Sequence, residues 1–223
     1  MRNAGDKYFS LSGKLVFVLF LFYSQNLLSQ FQQYQLQFKS ITIDDGLTNN
    51  KVNAITKDKY GFMWFATNDG VCRYDGLNIR SYHLDPLNTR NRNTNHINYV
   101  YTDIKGDLWI GAFSLFRYDY MTDSLVHYSS LDTSLFLGRV RSIVNDDKGT
   151  MWIGTTKGLF SLYPEKDSVA YQQHPDHENF EILTMLPDKN LWLSTSAGLV
   201  KCIGIVDHPE HLETRVYTIQ DGL

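Results

Sequence analysis

One short pattern recurs four times along this chain, and it constrains the fold more than any other feature. An apolar-x-x-apolar-x-x-Asp string occurs in four copies, spaced 45, 43 and 42 residues apart. The copies are Val52, Ile55 and Asp58; Ile97, Val100 and Asp103; Val140, Ile143 and Asp146; and Ile182, Met185 and Asp188. A fixed period of about 40–45 residues is typical of folds that stack one small structural unit repeatedly.

Each repeated aspartate is followed by one of the four tryptophans in the chain. Trp64, Trp109 and Trp152 follow their aspartates by six positions, and Trp192 follows by four. A tyrosine then closes each unit, at Tyr82, Tyr128, Tyr171 and Tyr217. Aromatic side chains can serve as platforms for sugars, but the same register in every copy favours packing between repeats. We therefore expect the tryptophans to be structural.

Turn residues divide each repeat into four short strands, which the first copy places near 52–57, 62–67, 70–75 and 78–83. Asp58 and Gly61 flank the first hairpin, where the Asp side chain can accept from the backbone two residues on and Gly can adopt positive φ. The strings after the tryptophans, such as Trp152-Ile-Gly-Thr155, do not alternate between apolar and polar. They suit sheets that are covered on both faces.

These features predict an all-β fold, a β-propeller with four four-stranded blades near residues 48–90, 91–134, 135–177 and 178–223. An ordinary β-sandwich is the alternative. Ile41–Leu47, which leads into the first blade, has a near copy in Tyr217–Leu223. The chain is therefore expected to stop about five residues before a fifth inner strand, in register with the first copy. A strand over 38–43 is expected to pair with a missing last blade, or to close a four-bladed ring.

The N-terminus has the layout of a secretory signal. Arg2, Lys7 and Lys14 precede an uncharged run whose apolar centre extends from Leu15 to Tyr23. This centre is shorter than the roughly 20 residues that span a bilayer. Residues 1–30 are therefore predicted to be a signal peptide cleaved near Ser29, which implies export. An uncleaved anchor and a buried helix remain alternatives.

The net charge bears on which partners to expect, and the two cysteines bear on a possible disulfide. The formal net charge is −3, which gives no electrostatic reason to expect nucleic acid or an anionic membrane surface. Membrane association is expected only through an uncleaved signal or a segment downstream of this chain. Cys72 and Cys202 fall in blades that are not adjacent, so no disulfide is expected between them.

No motif for phosphate binding, nucleophilic catalysis, zinc proteases or dinucleotide binding occurs in the sequence. The best metal candidates are His174-Pro-Asp-His177 and His208-Pro-Glu-His211, but the strand assignment puts them on opposite rims. No catalytic residue, metal site or cofactor is therefore predicted, and no ligand-binding residue is assigned. Arg90 and Arg92 are interpreted as part of a polar loop between blades. The inner strands carry only scattered polar residues, at Asn53, Asn98, Ser142 and Thr184.

Several strings resemble the two-component regulator propeller repeat. They are Gly46-Leu-Thr-Asn-Asn-Lys-Val52, the segment from Asp58 to Trp64, Asp69-Gly-Val-Cys-Arg-Tyr-Asp75 and Trp152-Ile-Gly-Thr-Thr-Lys-Gly-Leu159. The resemblance extends over about residues 38–223. Blade two lacks the glycine before Leu115-Phe-Arg-Tyr-Asp119, and blades three and four lack Arg-Tyr-Asp altogether.

The resemblance implies the N-terminal part of a periplasmic sensor whose complete propeller has seven blades. In such proteins the downstream part is a histidine kinase, whose signatures are absent from this sequence, so the chain itself is not expected to be an enzyme. The implied partners are a soluble ligand of the glycan-fragment class and a second copy of the chain in a homodimer. The alternatives are an exported propeller enzyme, such as a lyase or glycosidase, and a non-functional truncated remnant.

Overall fold

The computed structural model describes residues 37–84, 95–128, 138–163, 168–172, 182–187, 190–196, 198–204 and 213–222. The chain divides into two units, Met1–Ser40 and Ile41–Leu223. Of the first unit, residues 37–40 are described, and they form neither helix nor strand. The predicted signal peptide, the four histidines and the loop with Arg90 and Arg92 lie outside the described residues. Within the part described, no helix is long and apolar enough to cross a membrane.

The second unit contains four antiparallel sheets of four strands, each formed by consecutive strands. Sheet 1 contains β1 (Val52–Lys57), β2 (Met63–Thr67), β3 (Gly70–Tyr74) and β4 (Ile79–Tyr82). Sheet 2 contains β5 (Tyr99–Thr102), β6 (Leu108–Gly111), β7 (Leu115–Asp119) and β8 (Ser124–His127). Sheet 3 contains β9 (Val140–Asn145), β10 (Met151–Thr155), β11 (Gly158–Tyr163) and β12 (Ser168–Gln172). Sheet 4 contains β13 (Ile182–Pro187), β14 (Leu191–Thr195), β15 (Gly198–Ile203) and β16 (Glu213–Tyr217).

The sheets pack in sequence order through their first strands. β1 lies beside β5, β5 beside β9, and β9 beside β13. The first strands are therefore the inner strands of the stack, and the fourth strands are the outer edges, as in a propeller. The all-β prediction is confirmed, and the strands of sheet 1 agree with the predicted positions to within a residue. β6 and β10 are buried along their whole length, which confirms that both faces of these sheets are covered.

The strand predicted over 38–43 is not formed. Residues 37–42 have no regular structure, and Ile43–Asp45 is a 3₁₀ helix. Thr42 caps this helix, because its Oγ1 accepts from the Asp44 N–H at 3.3 Å while its own N–H donates to Asp45 Oδ2 at 2.9 Å. Local capping thus replaces strand pairing here. Ile219–Asp221 repeats this helix with the same caps, Thr218 and Gly222, so the sequence likeness of the two segments corresponds to one conformation.

At one end of the stack, an Asp-x-x-Gly turn joins the first two strands of sheets 1, 2 and 3; we call this the turn end. In sheet 1, Asp58 Oδ1 accepts from the N–H groups of Tyr60 and Phe62, at 2.9 and 3.0 Å. Gly61 adopts φ +91°, the left-handed conformation that the sequence predicted for it. The second carboxylate oxygen accepts from the Trp64 indole N–H at 2.8 Å. This hydrogen bond requires the tryptophan to lie six residues after the aspartate, which accounts for the spacing in the sequence.

The same arrangement recurs in the next two sheets. Trp109 donates to Asp103 at 2.8 Å, and Trp152 donates to Asp146 at 2.9 Å. Each aspartate also accepts from two backbone N–H groups of its turn. Each of these buried carboxylates thus has three donors within its own repeat, and Asp58 accepts a fourth bond from the Tyr120 hydroxyl, in the β7–β8 hairpin of sheet 2, at 3.4 Å.

The three tryptophans are fully buried, and each packs against the sheet that follows its own. Trp64 lies in a cluster with residues of sheet 2, including Tyr118 at 4.7 Å between ring centroids. Trp109 lies among residues of sheet 3, and Trp152 among residues of sheet 4. Packing between repeats is therefore the role of these rings, as the sequence predicted. Trp192 of sheet 4 is only partly buried.

The Arg-Tyr-Asp strings of sheets 1 and 2 join these two sheets. Arg73 of the first string donates to the hydroxyl of Tyr118 in the second at 2.9 Å. Tyr118 in turn donates to Asp123 in the β7–β8 hairpin, which also accepts from Tyr82 at 2.7 Å. Arg80 pairs with the same carboxylate. The motif therefore builds a polar network around the Trp64 ring.

Cys72 and Cys202 are both free and buried, in sheets 1 and 4. This confirms that they form no disulfide. Burial raises the pKa of the Cys202 thiol to about 12, so this side chain stays protonated and acts as a small apolar group.

Candidate functional site

The opposite end of the stack, which we call the inner rim, is where the inner strands begin. Because β1 and β2 are antiparallel, the turn that follows β2 lies at the same end as the start of β1, and the other sheets repeat this. The inner rim is defined by residues 51–53, 68–69, 96–98, 112–114, 138–141 and 156–157.

Backbone hydrogen bonds join neighbouring sheets along the inner rim. The Ile97 N–H donates to the Thr67 carbonyl at 3.0 Å, and the Val140 N–H donates to the Ala112 carbonyl at 2.8 Å. These two hydrogen bonds hold the starts of β5 and β9 against the end of the second strand in the preceding sheet. Gly111 permits the second approach, since a Cβ at this residue would lie 2.6 Å from Val140 Cγ1. The inner rim is therefore a continuous surface across sheets 1, 2 and 3.

A β-bulge near the start of the inner strand changes the direction of one side chain in each sheet. In sheet 1 the register shifts between Val52 and Ala54, so Asn53 has no partner residue on β2. In sheet 3 the same shift leaves Arg141 at the bulge. Asn98 is the equivalent residue of sheet 2, with its N–H donating to the Gly111 carbonyl at 2.9 Å. Bulges commonly occur next to binding sites because they change the direction of a side chain.

An exposed aromatic ring lies beside a guanidinium group at the inner rim. Phe113, in the turn after β6, is 37% exposed. The guanidinium carbon of Arg139 lies 4.8 Å from its ring centroid. Two backbone contacts hold Arg139 in place: its N–H donates to Thr156 Oγ1 at 3.1 Å, and its carbonyl accepts from the Thr156 N–H at 3.0 Å. Arg139 thus lies over the ring of a partly exposed phenylalanine.

The pKa of His96 is affected by the positive charges of the inner rim. Burial lowers the pKa of its imidazole, and the positive charges of Arg139, Lys51 and, more weakly, Arg141 lower it further, against a hydrogen bond with Asn98. His96 is consequently neutral at neutral pH. A positive potential of this kind concentrates anions near a surface.

Two polar atoms at the start of the inner strands have no hydrogen-bond partner among the described residues. They are Asn98 Nδ2 and Ser142 Oγ. Ser142 is 1% exposed, so its hydroxyl is removed from bulk solvent. Buried polar atoms without a partner in the protein are commonly satisfied by water or a ligand.

The structure groups three of the four inner-strand polar residues that the sequence analysis noted. Asn53, Asn98 and Ser142 lie near the starts of adjacent strands, and Asn53 Nδ2 bridges to the Ile97 carbonyl of the next sheet at 2.8 Å. The side chain of Thr184 lies outside the described residues. Lys51, His96, Phe113 and Arg139 were not singled out from sequence. Their common position just before an inner strand, or just after a second strand, is the signal that would have found them. Among the described residues, no group of three or more His, Cys, Asp or Glu side chains could hold a metal ion.

Comparison with known proteins agrees with this architecture. The family model for the two-component regulator propeller matches residues 46–69 and 134–157. Histidine kinase P4 of Formosa agariphila is 34% identical over 86 residues, which cover 39% of this chain and 6% of that protein. The chain thus spans a small fraction of the length of this relative.

Solved structures share the fold. The extracellular domain of BT3049, assigned to a hybrid two-component system of B. thetaiotaomicron, matches with a TM-score of 0.67 and 23% identity, over 81% of this chain and 26% of that one. A virginiamycin B lyase from Staphylococcus aureus matches with a TM-score of 0.60 and 12% identity, over 79% of this chain and 59% of the lyase. At such identities a sensor and an enzyme alike show the propeller fold alone. In sequence, the two segments 46–69 and 134–157 match the family model of the two-component regulator propeller.

Proposed function

We propose that this chain is the ligand-sensing propeller region of a two-component signalling protein, and that it binds oligosaccharides at the inner rim. One observation carries the proposal: both segments matched by the family model contain an inner strand, the second strand and the turn after it. These are the elements that form the inner rim. The segments that define the family are thus also those that present Lys51, Asn53, Arg139 and Arg141.

The polar composition of the inner rim supports a sugar ligand. Amide, hydroxyl and guanidinium groups can bond sugar hydroxyls, and an exposed aromatic ring can pack on the apolar face of a sugar ring. Asn98 and Ser142 offer polar atoms without partners in the described part of the protein. We expect a soluble oligosaccharide to contact all three sheets, because Asn53, Asn98 and Arg141 lie at the same end of neighbouring inner strands.

We further propose that the ring contains more sheets than the four described, seven in total, with a homodimer as the working assembly. Trp192 supports this, because its equivalents in the other sheets are covered by the next sheet and it is only partly buried. The 3₁₀ helix Ile219–Asp221 also repeats the conformation that leads into sheet 1. Sedimentation of the purified chain tests the dimer, and a monomer would contradict it.

Export is the third part of the proposal, with residues 1–30 as a cleaved signal peptide and the propeller in the periplasm. The basic residues and the short apolar run of the N-terminus support it. Fractionation of cells that produce a C-terminally tagged chain tests it. Recovery in the periplasm with a new N-terminus near Ser29 is expected. Recovery in the cytoplasm at full mass would contradict it.

The binding proposal is tested by calorimetric titration of the purified chain with a panel of oligosaccharides of defined length. Saturable binding of at least one sugar, recovered without cleavage, is expected of a sensor. Mass spectrometry of the sugar after incubation separates this result from catalysis, because cleavage products would indicate a propeller enzyme instead. If no sugar of the panel binds, the proposed function is wrong.

A further inference from the structure

We infer that the ligand of the inner rim is an acidic oligosaccharide, whose carboxylate or sulfate group is held by Arg139 and Lys51 while a sugar ring packs on Phe113. This inference rests on the proposed sensor function and names the chemical class of its ligand. It follows from the geometry of one aromatic–guanidinium pair, from the charges around it and from the unpaired polar atoms beside it.

The Phe113–Arg139 pair supplies two kinds of contact side by side. Phe113 is 37% exposed, and the guanidinium carbon of Arg139 lies over its ring, 4.8 Å from the centroid, so a sugar can pack on the part of the ring that Arg139 leaves uncovered. A guanidinium group offers donors in a fixed planar fork that matches the two oxygens of a carboxylate or sulfate. A sugar ring that carries such a group can therefore use both residues at once, whereas a neutral sugar uses the ring and only weaker hydrogen bonds.

The charges of the inner rim are unbalanced. Lys51, Arg139, Arg141 and Lys157 are cationic, and Asp69 is the one carboxylate among the inner-rim residues described. Lys51 is exposed, and in the described part of the chain neither Lys51 nor Arg139 pairs with a carboxylate. The described ion pairs are instead at the turn end, around Asp107 and Asp123. Lys51 and Arg139 thus have no carboxylate partner among the described residues, and they are the two cations that we assign to the anion.

Lys51 and Arg139 directly precede β1 and β9, the two inner strands that lie on either side of β5. His96 lies within electrostatic reach of Lys51 from sheet 1 and of Arg139 from sheet 3, and both charges lower its pKa. Its neutral ring adds no charge of its own but offers a polar nitrogen. Next to it, Asn98 Nδ2 has no acceptor among the described residues. An anionic sugar at this position would meet the positive field of two sheets and an amide donor from the third.

The test compares sugars that differ in charge alone. The full chain is titrated by calorimetry with tetragalacturonate and with its fully methyl-esterified form, and with a sulfated chondroitin tetrasaccharide and its desulfated form. We expect at least one charged sugar to bind at least tenfold more tightly than its neutral counterpart. Comparison of the galacturonate pair with the chondroitin pair identifies whether a carboxylate or a sulfate group is recognised. The advantage should shrink as salt is raised, because added ions screen exposed charges.

Two substitutions with a matched control locate the site. Arg139→Gln should weaken binding of the charged sugar about tenfold, since a charge-assisted pair is lost. Lys51→Gln should weaken it a few-fold, and because Lys51 is exposed this variant does not depend on refolding of the inner rim. Lys57→Gln is the control, because Lys57 is an exposed lysine at the other end of the same strand. It should leave the affinity unchanged.

The possible outcomes distinguish failure of the acidic-sugar inference from failure of the proposed sensor function. Equal binding of charged and neutral forms, or an unchanged affinity in both Arg139→Gln and Lys51→Gln, overturns the inference while the sensor function stands. Absence of binding by every sugar in the panel overturns both.

Discussion

The two ends of the sheet stack are built differently, and the difference separates structural residues from those available for function. At the turn end, Asp58, Asp103 and Asp146 repeat one arrangement, with the carboxylate shared between two backbone N–H groups and an indole. At the inner rim, equivalent positions carry different side chains: Lys51, His96 and Arg139 before the inner strands, and Asn68, Phe113 and Thr156 after the second strands. The same residue types recur at the turn end, where they pack one sheet on the next, whereas they vary at the inner rim, where backbone hydrogen bonds also join the sheets.

The largest effect is expected from removing a tryptophan of the turn end. Trp109→Ala should lower the free energy of unfolding by about 3–5 kcal/mol, because a fully buried ring between sheets 2 and 3 is lost. Urea unfolding followed by circular dichroism measures it. Phe113→Ala, an aromatic truncation at the inner rim, is the control and should cost far less. Equal losses in the two variants would contradict the distinction between the ends.

A smaller loss is expected from neutralising one turn-end carboxylate. Asp146→Asn should cost about 1–3 kcal/mol, because the amide cannot accept from all three donors and places an NH₂ group against one of them. The neighbouring Asp147 is exposed, so Asp147→Asn is a matched control with the same change of charge. Chemical unfolding at pH 7 compares them. An unchanged stability of Asp146→Asn would show that the indole bond is dispensable.

The polar network between sheets 1 and 2 should respond to acid. Burial alone would raise the pKa of Asp123, but hydrogen bonds from Tyr118 and Tyr82 and the charges of Arg80 and Arg73 lower it overall. A carboxylate whose pKa falls on folding stabilises the protein above its unfolded pKa of about 4, and the stabilisation is lost as pH decreases through the lower, folded value.

Unfolding free energies of the wild type and Asp123→Asn, measured from pH 7 to pH 3, test this response. The wild type should be more stable near neutral pH, and the difference should diminish below about pH 4. Asp75 and Asp119, whose pKa values are also lowered by hydrogen bonds within their hairpins, are present in both proteins and therefore cancel. A difference that does not change with pH would mean that the Asp123 charge contributes nothing.

The smallest effect is expected at the inner rim. Lys51→Gln should change the free energy of unfolding by no more than about 0.5 kcal/mol, since the side chain is exposed and substitutions of this kind are usually near neutral. The same denaturation series measures it. A loss comparable to that of Asp146→Asn would assign Lys51 a structural role instead of a binding one.

The sequence was informative about the turn end and much less so about the inner rim, for a physical reason. Repeated side chains such as Asp58 and Trp64 mark contacts that recur, so the four-sheet fold and the buried tryptophans could be predicted from spacing. The indole-to-carboxylate bond was not foreseen, although the six-residue spacing contained it. Lys51, Phe113 and Arg139 form no recurring pattern, because their proximity arises only when neighbouring sheets are pinned together. The 3₁₀ helix Ile43–Asp45 was not foreseen, although Thr42 and Asp45 form its capping box.

Hydrogen–deuterium exchange of the chain, with and without a sugar that it binds, tests most directly whether the inner rim is the ligand site. We expect slower exchange in peptides that cover residues 51–54, 96–99, 112–114 and 138–142, with no change at the Asp-x-x-Gly turns of 58–61, 103–106 and 146–149. Protection confined to the turn end, or to the outer strands, would contradict the account and place the ligand elsewhere on the propeller.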